Sequence, residues 1–295
     1  MIIDLLKVLI LSIVEGVTEF LPVSSTGHLI LVNQFVKLEP DNFSNAFNII
    51  IQLGAILSVV VIYFRRLNPW DKEKTKKYFP KNYSKLNKQS KMYYRLSHPD
   101  KNTMQLWKRV IVGIIPALVL GLLFDDFIDQ YLFSPYVVAV SLLLWGLVII
   151  FVEKRNKSKD GFILDNLAIL PYSKALLIGF CQCLAMIPGT SRSAATIMGA
   201  MILGLSRSAA AEFSFFLAIP TMLGATALKV VKNVHGFDSN QWLLIIVGMI
   251  LSFIIAYVVI KKFLAYVRKN DFIPFGIYRI ILGLIVLIYF LLMAK

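Results

Sequence analysis

Six runs of sixteen to nineteen residues, at 47–64, 109–124, 136–152, 213–230, 242–260 and 276–293, carry at most one charged side chain each. An α-helix needs about 20 predominantly apolar residues to cross a hydrocarbon core of ~30 Å. The runs therefore predict six spanning helices. Composition agrees: 58% of the 295 residues are hydrophobic, 16% are charged and the mean hydropathy is +0.72. Soluble domains hold roughly 45–50% apolar and about 25% charged residues, so a soluble enzyme is excluded, and disorder with it. The first residues are not expected to be a cleaved signal, because Asp4 precedes Lys7 and Glu15 and Glu19 follow a short apolar stretch.

A formal charge of +14 invites a nucleic-acid reading, but its distribution argues against one. The loop 65–109 holds 14 Lys/Arg and three acids, leaving only +3 for the rest of the chain. One basic loop on an apolar body reads as a cytoplasmic segment facing anionic lipid. Cys181 and Cys183, two apart in a helical run, do not share a face and read as packing residues.

Two further apolar segments are interrupted. In 5–36 the break is Pro22-Val-Ser-Ser-Thr-Gly27, and in 174–205 it is Pro188-Gly-Thr-Ser-Arg-Ser193. The short halves on either side suit re-entrant helix–loop–helix segments. Positive-inside counting sends 65–109, 153–159 and 261–269 to the cytoplasm and the acidic loop 125–135 outside. The first broken segment then dips in from outside and the second from the cytoplasm. Pro22 and Pro188, Ser25 and Ser191, and Phe47 and Phe213 all lie 166 residues apart, and Arg109–Gly113 resembles Arg279–Gly283 at 170. The expected fold is thus an all-α integral membrane protein with an inverted-topology repeat, residues 1–160 and 161–295. Such repeats place their site near the midplane, where broken helices meet.

Chemistry concentrates in the breaks. Glu15 and Glu19 are four apart and share a helix face. Intramembrane acids default to function, and these suit divalent-cation ligation and general base catalysis, with an exposed charged face as the plain alternative. Ser24, Ser25, Thr26 and Gly27 open a helix whose N-terminus favours a phosphate, although ordinary capping explains any single hydroxyl. His28 is one turn from Ser25, as a proton donor is from a nucleophile. In the second break Arg192 offers a planar fork for phosphate oxygens, or a salt bridge to Glu15 or Glu19. Gly189, Thr190, Ser191, Ser193 and Thr196 surround it as substrate-binding candidates. Gln52 either reaches the site or joins helices. Arg207 and Glu212 are expected to pair near the cytoplasmic edge, while His98 and His235 carry no signal.

The run Glu15-Gly-Val-Thr-Glu-Phe-Leu-Pro-Val-Ser-Ser-Thr-Gly-His28, with Pro188–Ser193, 47–54 and 212–227, resembles the bacitracin-resistance family of undecaprenyl-diphosphate phosphatases over nearly the whole chain. The resemblance implies a bacterial plasma-membrane enzyme that removes the terminal phosphate of undecaprenyl diphosphate, recycles the cell-wall lipid carrier and needs a divalent cation such as Mg²⁺ or Ca²⁺. It implies Glu15 and Glu19 as the paired acids, Ser25 and His28 as catalytic hydroxyl and imidazole, and Arg192 as phosphate clamp. Ala194 departs from the family's glycine, which puts in question how closely phosphate approaches there. The loop 65–109 is also longer than expected. Glu19 or His28 would take the Ser25 proton, and the site would open to the outer face. The partners are the polyprenyl diphosphate and membrane lipids, with a homodimer compatible. The rival reading is a transporter or flippase of polyprenyl phosphate or an ion, which inverted repeats also serve.

Overall fold

A computed structural model of the chain describes residues 2–79, 83, 86–132, 134–157, 164–233 and 236–293. Among them run the helices α1 (Ile2–Thr18), α2 (Ser25–Val32), α3 (Asp41–Ile62), α4 (Phe64–Leu67), α5 (Lys72–Thr75), α6 (Lys88–Ser97) and α7 (Lys101–Tyr131). The order continues with α8 (Pro135–Lys157), α9 (Tyr172–Cys183), α10 (Arg192–Ile202), α11 (Arg207–Asn233), α12 (Ser239–Val267) and α13 (Ile273–Met293). No strand occurs among the described residues beyond an isolated bridge between Leu164 and Leu205. Six helices among them are long and apolar enough to cross a membrane: Asp41–Ile62, Lys101–Phe124, Pro135–Asn156, Arg207–Ala227, Ser239–Val267 and Ile273–Leu292. The protein is an all-helical, multi-pass membrane protein.

The helices outrun the apolar runs that predicted them, because local polar chemistry sets their ends. α7 starts well before 109: the Asp100 carboxylate accepts from the Thr103 N–H and hydroxyl, both at 3.0 Å, and caps the first turn. At its far end α7 continues through Tyr131, so most of the expected acidic loop 125–135 is helical, with residue 133 outside the described residues. Of the predicted loop 153–159, α8 takes in the residues to Lys157; 158 and 159, like His235, lie outside the described residues.

Lipid rather than water is the solvent for the outer faces. The most apolar span, on α12, has only 28% of its window buried, whereas that on α11, the least apolar, has 67%. Close approach between helices comes from small residues. A Cβ on Gly54 would overlap the Met249 carbonyl of α12, and one on Gly179 would overlap the Gly113 carbonyl of α7. α3 accordingly packs on α12 and α9 on α7, while α13 lies along α8.

One end of the bundle collects the basic segments. Arg66 pairs with Glu212 at 2.5 Å, and Arg207 with Glu153 at 2.6 Å. Glu153 also accepts from the Phe272 N–H at 2.9 Å, and Trp107 donates to the Leu67 carbonyl at 2.8 Å. The expected Arg207–Glu212 pair is therefore not formed. Five residues apart on one helix they face different neighbours, and each finds a partner on another element. At the opposite end Phe237 packs edge-on against Phe43 and Trp242, tying the start of α3 to the turn before α12.

A hydrogen bond joins the first helix of each broken segment to the chain beyond its second. Lys7 of α1 donates to the Lys37 carbonyl just beyond α2, and Lys174 of α9 to the Leu203 carbonyl just beyond α10. The Arg109/Arg279 match does not pair equivalent elements. Arg109 lies on the second long helix after the first break and Arg279 on the third after the second, so a short apolar match at an arginine misled there.

Candidate active site

Each break ends in a serine with positive φ, Ser24 at 73° and Ser191 at 74°. Left-handed backbone is costly for a residue with a Cβ, and each serine offsets it by capping the helix that follows. Ser24 Oγ accepts from the Gly27 N–H at 3.2 Å, and Ser191 Oγ from the Ala194 N–H at 3.3 Å. The caps lie 167 residues apart rather than 166, so Ser25 and Arg192 occupy the same first helical position of α2 and α10.

Those two residues meet on one carboxylate. Ser25 Oγ donates to Glu19 Oε2 at 2.5 Å, and Arg192 Nη2 donates to Glu19 Oε1 at 3.0 Å. Arg192 Nη1 reaches the Ser214 carbonyl at 3.1 Å, and the guanidinium sits over the Phe20 ring at 5.6 Å. The ion pair is nearly dry, with side-chain exposures of 13% and 6%. Both sequence alternatives for Arg192 thus coexist: it pairs with an acid and still lines the cavity.

That cavity, of about 250 Å³, is lined by Glu19, Ser25, Thr26, Gln52, Gly189, Ser191 and Arg192, together with Ala117, Gln182, Ala185, Met186, Thr221, Met222 and Ala225. Its polar head and apolar, methionine-bearing side suit a lipid carrying a phosphate group. Other candidates stand behind it. Ser24 is a cap; Ser193 donates to the Leu21 carbonyl at 2.8 Å and so ties one break to the other; Thr196 bonds Ser214 Oγ at 2.6 Å. Gly27 and Thr190 are buried and not on the cavity wall, and the Thr190 hydroxyl lacks a partner. Ala194 is fully buried and also off the wall, so its methyl does not narrow the approach.

His28 is turned away from the hydroxyl it was expected to serve. Nδ1 lies 2.7 Å from the Ser24 carbonyl and Nε2 lies 2.6 Å from the Tyr278 hydroxyl. A carbonyl only accepts, so Nδ1 carries a proton and Nε2 pairs with Tyr278. Sequence reasoning missed Tyr278 and its neighbour Arg279. Arg279 is wholly buried and donates to the Pro22 carbonyl at 3.3 Å and the Gly189 carbonyl at 2.7 Å, bridging the two breaks. The rule applied to Glu15 would have found it, since a lone arginine within an apolar run is a functional candidate by default.

Glu15 is wholly buried against Glu19, and no N–H or O–H of any other described residue reaches either of its carboxylate oxygens. Two buried carboxylates side by side, one of them without a donor from elsewhere, fit a divalent cation. No group of three His, Cys, Asp or Glu gathers among the described residues, so phosphate oxygens would complete the shell, as is usual for Mg²⁺.

The family model described as bacitracin resistance protein BacA matches residues 8–285. The chain belongs to the BacA family. It is 48% identical to undecaprenyl-diphosphatase 1 of Clostridioides difficile, over 99% of this chain and 98% of that protein. It is 48% identical to the undecaprenyl-diphosphatase of Limosilactobacillus fermentum, covering 99% of each. A Fusobacterium nucleatum undecaprenyl-diphosphatase is 49% identical over 95% of this chain and 98% of its own length.

Proposed function

We propose that this BacA-family chain hydrolyses undecaprenyl diphosphate to undecaprenyl phosphate and phosphate in the bacterial plasma membrane, recycling a cell-wall lipid carrier. The observation that carries the proposal is the Ser25–Glu19–Arg192 cluster: a hydroxyl already bonded to a base, next to a guanidinium, in a cavity with an apolar side. Ser25 Oγ attacks the terminal phosphorus and its proton passes to Glu19 Oε2. The bond to the bridging oxygen breaks and undecaprenyl phosphate departs. The departing undecaprenyl phosphate carries that proton away from Glu19; water then attacks the Ser25 phosphate, Glu19 accepts the water's proton and passes it to Ser25 Oγ as phosphate leaves. Arg192 and the N–H groups opening α2 and α10 hold the phosphoryl oxygens. Glu15 and Glu19 would hold a divalent cation, which would supply further charge neutralisation. His28 positions the start of α2 through Ser24 rather than moving the Ser25 proton.

The reading includes two re-entrant segments within an inverted repeat, 1–160 and 161–295. Its support is the hydrogen bond joining the first helix of each broken segment to the chain beyond its second, and the matched caps at Ser24 and Ser191. Positive-inside counting makes the basic end cytoplasmic and opens the site to the outer face. Nucleic acid has no part in it, and a homodimer through the lipid-facing helices is compatible with it. The transporter alternative is not favoured, since the three relatives are named as diphosphatases.

The test is phosphate release from a long-chain polyprenyl diphosphate in detergent, with and without a chelator, for wild type, Arg192→Lys and Arg192→Ala. Release should need the cation and fall by about 10²–10³ without the fork of donors. Lysine should rescue it only in part. No release from folded wild type would move the reading to the transporter.

A further inference from the structure

The basic loop plays no part in the site, yet it is built rather than slack. Lys74 donates to the Arg66 carbonyl and to Thr103 Oγ1, both at 2.8 Å, and Lys77 pairs with Asp100 at 3.1 Å. These bonds fasten α5 to the start of α7. On α6, Tyr94 faces this body: its hydroxyl donates to the Tyr78 carbonyl at 2.5 Å and its ring stacks on His98. Helical geometry then turns Met92, Tyr93 and Leu96 the other way, where they are 59%, 76% and 51% exposed. Beside them lies a cleft of about 590 Å³ whose walls carry Lys72, Lys76, Lys91 and Arg95 against one acid, Glu73. Arg95 Nε is buried without a hydrogen-bond partner.

Lys72, Lys76 and Arg95 in one cleft call for an anion, and three large apolar side chains beside it call for a non-aqueous neighbour. A short helix with both features lies in a membrane interface. The loop is tethered to spanning helices at both ends, so lipid headgroups are the nearest anionic surface. We propose that α5 and α6, with Lys76 between them, form a docking surface for anionic phospholipid. Its cleft holds headgroup phosphate, and Met92, Tyr93 and Leu96 enter the acyl boundary. The site is separate from the catalytic cavity, and its test reads lipid docking, with phosphate release only as a control.

The experiment is hydrogen–deuterium exchange of the backbone amides in α6, with the full chain in nanodiscs of phosphatidylcholine alone or mixed with phosphatidylglycerol. The anionic lipid should slow exchange by at least about fivefold, the factor that one surface cation contributes. Lys72→Gln/Lys76→Gln/Arg95→Gln should abolish that difference. Met92→Ser/Leu96→Ser, which changes no charge, should reduce it while phosphate release stays at the wild-type rate. Equal exchange in the two lipids overturns the proposal. So does equal protection by inorganic phosphate or by an oligonucleotide in the phosphatidylcholine discs, which would assign the cleft to a soluble anion. Full protection in the Met92/Leu96 variant overturns its apolar half.

Discussion

At the scale of single residues, Glu19 is the hub, since its two oxygens hold the Ser25 hydroxyl and the Arg192 guanidinium. A general base contributes about 10²–10⁴ to rate. Ser25→Ala and Glu19→Gln should each cost that much in kcat. The double variant should be no slower than the worse single one, because groups acting as a unit are not additive. His28→Gln keeps a donor for the Ser24 carbonyl and should cost about tenfold or less, ~1.4 kcal/mol of barrier. Steady-state phosphate release on the four variants checks this, and a His28 loss equal to that of Ser25 would restore histidine as the proton carrier. The charged members of the cluster were legible in the sequence because a charge in an apolar run stands out. Which hydroxyls face the cavity was not. Ser193 and Thr196 brace the breaks through partners on other segments, Ser24 caps its own helix, and Gln182 and Thr221 carry no charge to flag them.

At the scale of elements, apolar length announced the six spans, but it could not place their ends or reveal α4, α5 and α6, which hold few apolar residues and depend on caps such as Asp71 and Asn87. Nor does length say how the helices cross, which small residues decide. Gly54 has the Met249 carbonyl where a Cβ would stand, whereas a Cβ on Gly224 would meet nothing within 4 Å. Alanine at 54 must push α3 and α12 apart, at a cost of about 1–3 kcal/mol for an overpacked contact. Alanine at 224 removes only backbone freedom and should be neutral or stabilise by up to ~1 kcal/mol. Thermal unfolding in detergent separates them: Gly54→Ala should melt lower than wild type and Gly224→Ala should not. Equal midpoints would mean that this crossing is not held by close approach.

At the scale of the whole molecule, the two ends differ in charge, and the difference orients everything between them. The end with Arg66, Arg207 and the basic loop is bound together by ion pairs to Glu212 and Glu153, while Lys37 and the start of α3 lie at the other end. Lys7 near the start of the first broken segment bonds the Lys37 carbonyl beyond its end, and the proposed re-entrant path has Thr26 on the cavity wall approached from that side. If the basic end is cytoplasmic, Thr26 faces the outer aqueous phase. Single cysteines at Thr26, Lys37 and Lys72, in a chain carrying Cys181→Ser and Cys183→Ser, test this with a membrane-impermeant thiol reagent. In intact cells Lys37→Cys and Thr26→Cys should label and Lys72→Cys should not; inverted vesicles should give the reverse. Thr26 labelling together with Lys72 would place the cavity mouth on the cytoplasmic side and leave the chemistry at Ser25 unchanged. The two results assign hydrolysis to different faces of the membrane: an outward mouth takes diphosphate from the outer leaflet, and an inward one takes it from the inner leaflet.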